Sequence, residues 1–526
     1  MQIGTVQINR DAQHQQSEWN ETNKKACEEI HMMKQAFNPF LPLDTYIPDG
    51  EPHVFGDRLY LFGSHDKEAG ETFCMLDYMG WSAPVDDLSC WECSGAIYSA
   101  KQDPLYDPVK MPHMYAPDVV QGNDGRFYLY YCMSGYAGKG GYSNPVSVAV
   151  CDTPDGNYEY LGVVRNSDGT PMWRYVCFDP AVINDSGTIR LYYGTTAPWL
   201  DRIPFQKARE KAYAQTFGRT LEQLRSVPEG LTGAYCVTLA DDMLTVVSAP
   251  KRIDNTIAGS GYQNHGFFEG SSIRKIKDTY YFIYSSLNNH ELCCATSKYP
   301  DRDFVYGGTI VSNGDVFYQG RKPKDRLNHT GTNHGSIECV NGQWYVFYHR
   351  LTHQSDYSRQ ACAEKITILP DGSIPQVEIT SCGLNDGPLK GAGTYPAAIC
   401  CNLTNGKMRH GSNRNKTYDA PMVTSGDDQR FIANIGSGTT IGYKYFTLDG
   451  AVRLSLSVRG SFQGKVDICT EFGGAPIATI SLEPSEAWRS FAAPLPVPQG
   501  TYPIYLRFAG KGKAEFIEFT LEIHKK

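Results

Sequence analysis

Four carboxylates and one histidine stand at equivalent places in five similar segments of the chain. They are Asp49 (in YIPDGEP), Asp118 (in MYAPDV), Asp179 (in CFDPAV), Glu269 (in HGFFEGSS) and His334 (in TNHGSI). Carboxylates crowded into one pocket repel each other, so that one of them can keep its proton near neutral pH. A protonated and an ionised carboxyl group can then act as general acid and general base. The set therefore predicts acid–base chemistry on a bond held between two carboxyl groups.

Each of these residues, taken alone, also has a structural interpretation. Asp49 lies in a Pro-Asp-Gly turn sequence, Asp118 and Asp179 adjoin prolines, and His334 can be a structural histidine. Glu269 is harder to explain in that way. It follows two phenylalanines, and burying a charge in an apolar run without a role costs several kcal/mol. The shared position in all five segments favours a functional interpretation of the set.

The five segments each read as a β-hairpin. They cover residues 52–66, 117–134, 179–196, 270–286 and 335–350. Each turns on Gly, Asn or Asp and returns through a strand rich in Tyr, Phe, Leu and Val. Their spacing of roughly 60 to 90 residues leaves room for about four strands in each unit. Repeats of this size predict a five-bladed β-propeller, in which the first strand of each blade lines a central channel.

Amino-acid composition and strand pattern divide the rest of the chain into an arm, a linker and a second β-domain. Residues 1–37 form a polar arm, 38–382 the propeller, 383–400 a linker and 401–526 a β-sandwich of seven short strands. Within the propeller, residues 206–226 read as one exposed helix. The predicted fold class is all-β.

Composition and charge exclude several classes of protein. Lys and Arg number 49 against 57 Asp and Glu, a net charge of −8, and no basic run is present, which disfavours a nucleic-acid partner. No stretch approaches the roughly 18 apolar residues of a membrane span. Cys90 and Cys93 lack the second ligand pair of a zinc site. The polar arm has no secretory signal, which favours the cytoplasm, with secretion as the alternative if a signal was removed.

One carboxylic acid that protonates a leaving oxygen, and one carboxylate that activates water, form the layout that glycoside hydrolysis requires. The strings PDGEPHVFGDRLYLFGSHD, MYAPDVV, FDPAVI, FFEGSSI and NHGSIECVNGQWYVFYHR resemble glycoside hydrolase family 43, the five-bladed propeller glycosidases. The resemblance runs from about Asn38 to Asp371 and includes all five blades in order.

The resemblance implies an inverting hydrolase without an organic cofactor. Asp49 matches the general base, Asp118 the residue that modulates the acid's pKa and orients substrate, and Glu269 the general acid. His334 matches a histidine that coordinates a calcium ion through water near the propeller axis. The family usually shows Asp followed by Pro at the base position, whereas here Asp49 precedes Gly50, Glu51 and Pro52, so Glu51 is the alternative base.

We expect further side chains to bind the sugar. The candidates are His65, Asp66, Trp81, Trp91, Tyr115, Asp179 and Arg350. The two tryptophans can equally belong to the core, and Arg350 can equally pair with a carboxylate.

The C-terminal domain resembles a family 6 carbohydrate-binding module through TTIGYKYFTL, GSFQGKVDICTEFGGAPIATISL and GTYPIYLRFAG. Such modules carry an Asn and a Trp near their end, where this chain reads KGKAEFIEFTL. We therefore interpret the sandwich as structural, with carbohydrate binding as the alternative.

Three functions are compatible with the sequence. The first is an exo-acting pentosidase that releases α-L-arabinofuranose or β-D-xylose from plant-derived oligosaccharides. The second is a β-D-galactofuranosidase with the same catalytic residues. The third is a propeller that binds sugars without hydrolysis, although a pure binder has no need of Glu269 beside Phe268. The oligomeric state stays open.

Overall fold

The computed structural model describes residues 35–134, 142, 144–411, 419–427, 429–449 and 452–523. Its first part consists of five antiparallel sheets that follow one another along the chain. Blade 1 contains β1 (Glu51–Phe55), β2 (Arg58–Phe62), β3 (Tyr78–Pro84) and β4 (Glu92–Tyr98). Blade 2 contains β5 (His113–Gln121), β6 (Phe127–Ser134), β7 (Val146–Cys151) and β8 (Glu159–Val163). Blade 3 contains β9 (Ala181–Asp185), β10 (Thr188–Thr195), β11 (Gly233–Leu239) and β12 (Lys251–Arg252). Blade 4 contains β13 (Phe267–Ile276), β14 (Thr279–Ser286), β15 (Glu291–Ser297) and β16 (Val305–Ser312). Blade 5 contains β17 (Ser336–Val340), β18 (Gln343–Leu351) and β19 (Arg359–Ile366).

The first strands of the blades form a closed ring around the axis. β1, β5, β9, β13 and β17 contact one another in that order, and β17 contacts β1 again. A parallel bridge between Gly50 and Gly335 joins the first blade to the last. The predicted five-bladed propeller is confirmed, with all five hairpins in their predicted places.

Turn chemistry and aromatic packing explain why these segments form blades. Asn341 and Gly342 connect β17 to β18 with φ values of 49° and 83°, the pair of left-handed residues that a two-residue hairpin turn requires. The core lies between neighbouring blades: Leu129 and Tyr131 of blade 2 pack against Tyr60 of blade 1. The returning strands are aromatic because their side chains fill these spaces between sheets.

Blade 3 carries a helical insertion between β10 and β11. It contains α1 (Pro198–Asp201), α2 (Gln206–Thr216) and α3 (Leu221–Arg225). The single helix predicted over residues 206–226 is therefore wrong. Gly218, at φ 60°, ends α2, and Thr220 caps a new helix through a capping box with Gln223. No helix in the described part of the chain is long and apolar enough to span a membrane.

Two six-stranded sheets form the predicted β-sandwich. One sheet contains β20 (Leu389–Lys390), β22 (Asn402–Thr404), β25 (Thr440–Leu448), β27 (Gln463–Cys469), β28 (Ala478–Leu482) and β30 (Gly500–Lys511). The other contains β21 (Gly393–Pro396), β23 (Met422–Gly426), β24 (Gln429–Ile435), β26 (Val452–Gly460), β29 (Ser485–Leu495) and β31 (Ala514–Ile523). Single-turn 3-10 helices lie elsewhere in the chain, at Ala100–Gln102, Asp254–Thr256, Tyr262–Asn264, Asn313–Asp315, Tyr318–Gly320, Pro323–Asp325 and Ala397–Ile399.

Residues 383–400, predicted as a linker, are instead part of the sandwich. β20 pairs with β25 and β21 with β31, and Tyr395 and Ile399 are fully buried in its core. Their Gly, Pro and Ala content reflects close packing rather than flexibility. Of the predicted polar arm, residues 1–34 lie outside the described residues, whereas Gln35 is buried and bonds Tyr395.

The two domains pack together through buried polar contacts. Lys444 of β25 donates to Asp315 at 3.0 Å and to Glu378 at 2.8 Å, and its side chain is almost completely buried. Removing one partner from such a buried ion pair typically costs about 3–5 kcal/mol. The sandwich is therefore tied to the propeller by interactions that water does not screen.

Candidate active site

Three carboxyl groups from different blades lie close together at the propeller axis, and His334 lies beside two of them. Asp49 precedes β1, Asp179 lies just before β9, and Glu269 lies in β13. His334 Nδ1 is 3.8 Å from both Asp49 Oδ1 and Asp179 Oδ2. Asp49 and Asp179 are only 5% and 4% exposed, whereas Glu269 is partly exposed. The first two carboxylates therefore mark the closed end of the site, and Glu269 marks its open end.

Unusual backbone conformations aim these side chains at the axis. Asp49 and Asp179 have φ values of 58° and 44°, in the left-handed region that costs non-glycine residues free energy. Glu269 stands at a bulge in the pairing of β13 with β14. Gly270 follows it at φ 69°, and a Cβ there would lie 3.1 Å from the His334 ring. The bulge thus needs a glycine directly after Glu269, because the His334 ring packs against that position.

Asp49 is held in its ionised form by cationic and polar neighbours. Burial alone would raise its pKa, but the Arg359 guanidinium, followed by His334, His349 and Ser64, outweighs burial and lowers it. Arg359 Nη1 donates to Asp49 Oδ1 at 2.7 Å. Burial lowers the pKa of His349 to about 3, so that Arg359 is the main cation beside Asp49 at neutral pH. Asp49 can therefore accept a proton.

Arg359 was not foreseen from the sequence, and it organises this side of the site. Its Nε and Nη2 donate to Asp66 Oδ2 and Oδ1 at 2.8 and 3.0 Å, and its guanidinium stacks on the Phe73 ring at 4.7 Å. Asp66, predicted to bind sugar, is fully buried in this pair and also accepts from the Cys74 amide at 2.9 Å. Asp66 is thus an anchor for Arg359. The one sequence signal was an arginine at the start of a strand in which most other residues are buried in the structure.

Glu269 and Asp179 are carboxyl groups whose pKa is raised. Burial, and then the charge of Asp49, raise the pKa of Glu269 to about 8, although Arg359 acts in the opposite direction. Burial, and then the charges of Glu269 and Asp49, raise the pKa of Asp179. The Gly270 amide donates to Asp179 Oδ2 at 2.9 Å, which favours the charged form of Asp179. At neutral pH Glu269, whose pKa is about 8, therefore retains its proton.

Asp118 lies elsewhere, which corrects the prediction that it stands beside the acid. It is fully buried, and its carboxylate accepts from the amides of Val119 and Val182 at 2.8 and 2.7 Å and contacts His53 Nε2 at 2.6 Å. Asp49 and Asp179 come just before their strands, but Asp118 lies well inside β5, so its side chain reaches a deeper level of the channel. Asp179, predicted only as a sugar contact, occupies the position beside Glu269.

Glu51, the alternative base, belongs to the same deeper level. It is 1% exposed, and Arg274 and Ser272 donate to its Oε2 at 3.0 and 3.1 Å. Burial raises its pKa to about 8. A protonated carboxyl group in this position is poorly suited to accept a proton from water.

Three more of the predicted sugar contacts are engaged in packing or in the domain interface. Trp81 and Trp91 are 2% and 5% exposed in the core between blades 1 and 5, which removes them from the pocket wall. Arg350 donates to the carbonyl oxygens of Cys400 and Ala398. It thereby holds the start of the sandwich and cannot reach a sugar.

The other two predicted contacts lie close to the site. His65 follows β2 directly before Asp66 and donates from Nδ1 to the Asp77 carbonyl at 2.9 Å, so that in its neutral form Nε2 is an acceptor. The Tyr115 ring contacts Phe178 at 5.9 Å, and Phe178 also contacts Tyr142 at 4.6 Å. The charge of Glu269 acts on the Tyr142 hydroxyl, whose pKa is raised by burial first and by Glu269 next. Tyr142 is a second residue that the sequence did not indicate.

The surroundings of His334 allow a cation only with help from water. Among the described residues, groups that bring three ligand atoms within 4.8 Å are His265 with Glu291 and Cys293, and Glu51 with His53 and Asp118. His334 belongs to neither group. Calcium takes six to eight oxygen ligands, so an ion at His334 would need water for most of its ligands, with Asp49 and Asp179 supplying negative charge nearby.

Comparisons with known proteins agree with this architecture. The family model described as Glycosyl hydrolases family 43 matches residues 38–374. A xylosidase/arabinosidase of Thermoclostridium stercorarium is 44% identical over 508 residues, covering 93% of this chain and 99% of that protein. A xylosidase/arabinosidase of Bacteroides ovatus is 28% identical over 334 residues, covering 59% of this chain and 87% of that protein.

Solved structures are similar as well. One is a family 43 β-xylosidase/α-arabinofuranosidase from a compost microbial metagenome, in complex with xylotriose and in calcium-free form. It is 26% identical, covers 63% of this chain and 94% of its own, and has a TM-score of 0.47. The family model and the relative that spans nearly the whole chain confirm the predicted membership: this chain belongs to glycosyl hydrolases family 43.

Proposed function

We propose that this hydrolase is an inverting, exo-acting pentosidase that releases terminal β-D-xylosyl or α-L-arabinofuranosyl units from oligosaccharides. The observation that carries the proposal is the pair of opposite pKa shifts in one pocket: the pKa of Asp49 is lowered and that of Glu269 is raised to about 8. Carboxyl groups whose environments separate their pKa values in this way can serve as base and acid. The relative that spans nearly the whole chain is named xylosidase/arabinosidase.

In this proposal Glu269 donates its proton to the glycosidic oxygen as the bond from that oxygen to the anomeric carbon breaks. Asp49 takes a proton from a water molecule as the water oxygen bonds to the anomeric carbon from the opposite face. The sugar therefore leaves with inverted configuration. Asp49 ends protonated and Glu269 ionised, and proton exchange with solvent restores both groups.

Asp49 also supplies the negative charge that, after burial, keeps the proton on Glu269. The carboxyl group of Asp179 accepts from the Gly270 amide at 2.9 Å and lies 3.8 Å from His334, which fixes its position beside Glu269. A calcium ion held through water by His334 would add positive charge that favours the ionised forms of Asp49 and Asp179. The burial of both aspartates at the closed end supports exo action, because a chain cannot pass through a closed end.

A panel of aryl glycosides tests the proposal. It contains β-D-xylopyranoside, α-L-arabinofuranoside and β-D-galactofuranoside, with NMR of the first-formed anomer. We expect turnover of a pentoside with inversion, and a loss of about 10²–10⁴-fold in Glu269→Gln on substrates with poor leaving groups. Glu51→Gln is the matched control, since Glu51 has the same pKa of about 8 but is buried away from the site.

Retention of configuration, or turnover of the galactofuranoside alone, would overturn the proposal. So would a Glu269→Gln variant as active as Glu51→Gln. Sugar binding without turnover by the wild-type protein would favour the non-catalytic propeller.

A further inference from the structure

The helical insertion of blade 3 is fastened to the strand that carries Glu269. The Thr196 amide donates to the Phe268 carbonyl at 2.8 Å, and Thr196 Oγ1 donates to the Phe267 carbonyl at 3.1 Å. No residue of the helical insertion takes part in the proton transfers described above. The bonds of Thr196 to the strand of Glu269 nevertheless place the start of α1 beside the open end of the site.

Trp199, in α1, is the large side chain at this junction. Its ring lies 6.1 Å from the Phe268 ring at an angle of 74°, and 45% of the residue is exposed. Phe268 directly precedes Glu269 in β13. An indole left half in water keeps a large apolar surface uncovered, which a ligand can cover with a gain in free energy.

The geometry of the reaction says which part of the substrate reaches this side. The acid must contact the glycosidic oxygen, and the sugar being released occupies the closed end near Asp49 and Asp179. The leaving part of the substrate must therefore extend past Glu269 toward solvent. Residues on the solvent side of Glu269 are those that the leaving sugar meets first.

We infer that Trp199 is a platform on which the leaving-group sugar stacks, so that the insertion contributes to the choice of oligosaccharide substrates. The inference rests on the proposed function and identifies a specificity residue of the same site. The indole offers a flat apolar surface that suits the C–H face of a sugar ring. Binding energy gained on the leaving sugar can lower the barrier of the reaction when it is realised in the transition state.

Two substrates separate a platform from a structural support. Xylobiose places a sugar on the leaving side, whereas β-D-xylosyl fluoride releases only fluoride. We expect Trp199→Ala to reduce kcat/KM for xylobiose about tenfold or more and to leave that for xylosyl fluoride within about twofold. Trp199→Phe should recover part of the loss. Phe205→Ala is the control, because Phe205 lies in the same insertion and is 75% exposed.

The remaining outcomes overturn the inference. Equal losses on both substrates would mean that Trp199 acts by supporting Phe268 and Glu269. Unchanged kinetics on both, or the same loss in Phe205→Ala, would also refute a platform at Trp199. Wild-type silence on both substrates and on the α-L-arabinofuranoside of the panel would overturn the proposed function and this inference with it, whereas wild-type turnover with equal losses overturns this inference alone. If the wild type turns over only the arabinofuranoside, arabinobiose and α-L-arabinofuranosyl fluoride replace the two xylosyl substrates, with the same expected and contrary results.

Discussion

Replacing Arg359 by Met would remove the main cation beside the base. Arg359 lowers the pKa of Asp49 and also that of Glu269. Activity requires Asp49 to be ionised and Glu269 to be protonated, so the dependence of kcat/KM on pH is expected to be bell-shaped. Without the guanidinium both pKa values rise. The acidic limb and the basic limb should therefore both move to higher pH.

The size of the shift follows from the contact distance. Arg359 Nη1 lies 2.7 Å from Asp49 Oδ1, so the two charge centres are about 4 Å apart. At an effective dielectric constant of about 20, two unit charges at that distance interact by roughly 4 kcal/mol, which corresponds to about three pKa units. Asp66 shares the guanidinium and shields part of this effect. We expect the acidic limb to move by at least about one unit, and the basic limb by less.

The assay is kcat/KM on an aryl pentoside from pH 4 to 10, together with urea unfolding of each variant. Loss of a partner in a buried ion pair should cost about 3–5 kcal/mol of stability. Arg274→Met is the matched control, since Arg274 is also buried and bonds Glu51 at 3.0 Å. The control should lose similar stability while both limbs stay in place.

Limbs that stay in place in Arg359→Met, while the height of the profile falls, would refute the reasoning. Such a result would mean that Arg359 only holds the fold and does not set the charge of Asp49. Equal displacement of the limbs in Arg274→Met would refute it as well, since Arg274 acts on a different carboxylate. Arg359→Lys keeps the positive charge but loses the planar guanidinium that donates to two oxygens at once. It should therefore shift the two limbs of the pH profile less than Arg359→Met.

Three further outcomes are expected. Glu269→Gln should abolish the basic limb of the pH profile, because the group with a pKa of about 8 is gone; a limb that persists would assign it to another residue. Asp179→Asn should lower kcat, because it changes the carboxyl group beside Glu269. Asp118→Asn should mainly reduce stability in urea unfolding, by about 1–3 kcal/mol, because it leaves buried amides poorly paired; a larger kcat effect in Asp118→Asn than in Asp179→Asn would restore the predicted role of Asp118. Trp81→Ala should cost about 3–5 kcal/mol of stability and leave the KM of the folded protein unchanged. A raised KM would mean that Trp81 binds the sugar, as the sequence predicted.

Local sequence patterns predicted the blades because a hairpin is specified by its own residues. A turn such as Asn341–Gly342 fixes its φ values, and the aromatic return strand fixes which faces are buried. Both the number of blades and the sandwich could be derived in this way. The cytoplasmic location and the structural role of the sandwich, with carbohydrate binding as its alternative, stay predictions.

The sequence by itself also placed Asp49 and Glu269 together, since each begins a repeat and the first strands of a propeller converge. Only the tertiary structure decided the depth of each side chain along the channel. Asp118 and Asp179 occupy similar motifs, yet one lies inside its strand and the other just before it, so they reach different levels. Arg359 and the burial of Trp81 likewise depend on contacts between residues hundreds of positions apart. Such contacts follow from how whole sheets pack, which no local pattern encodes.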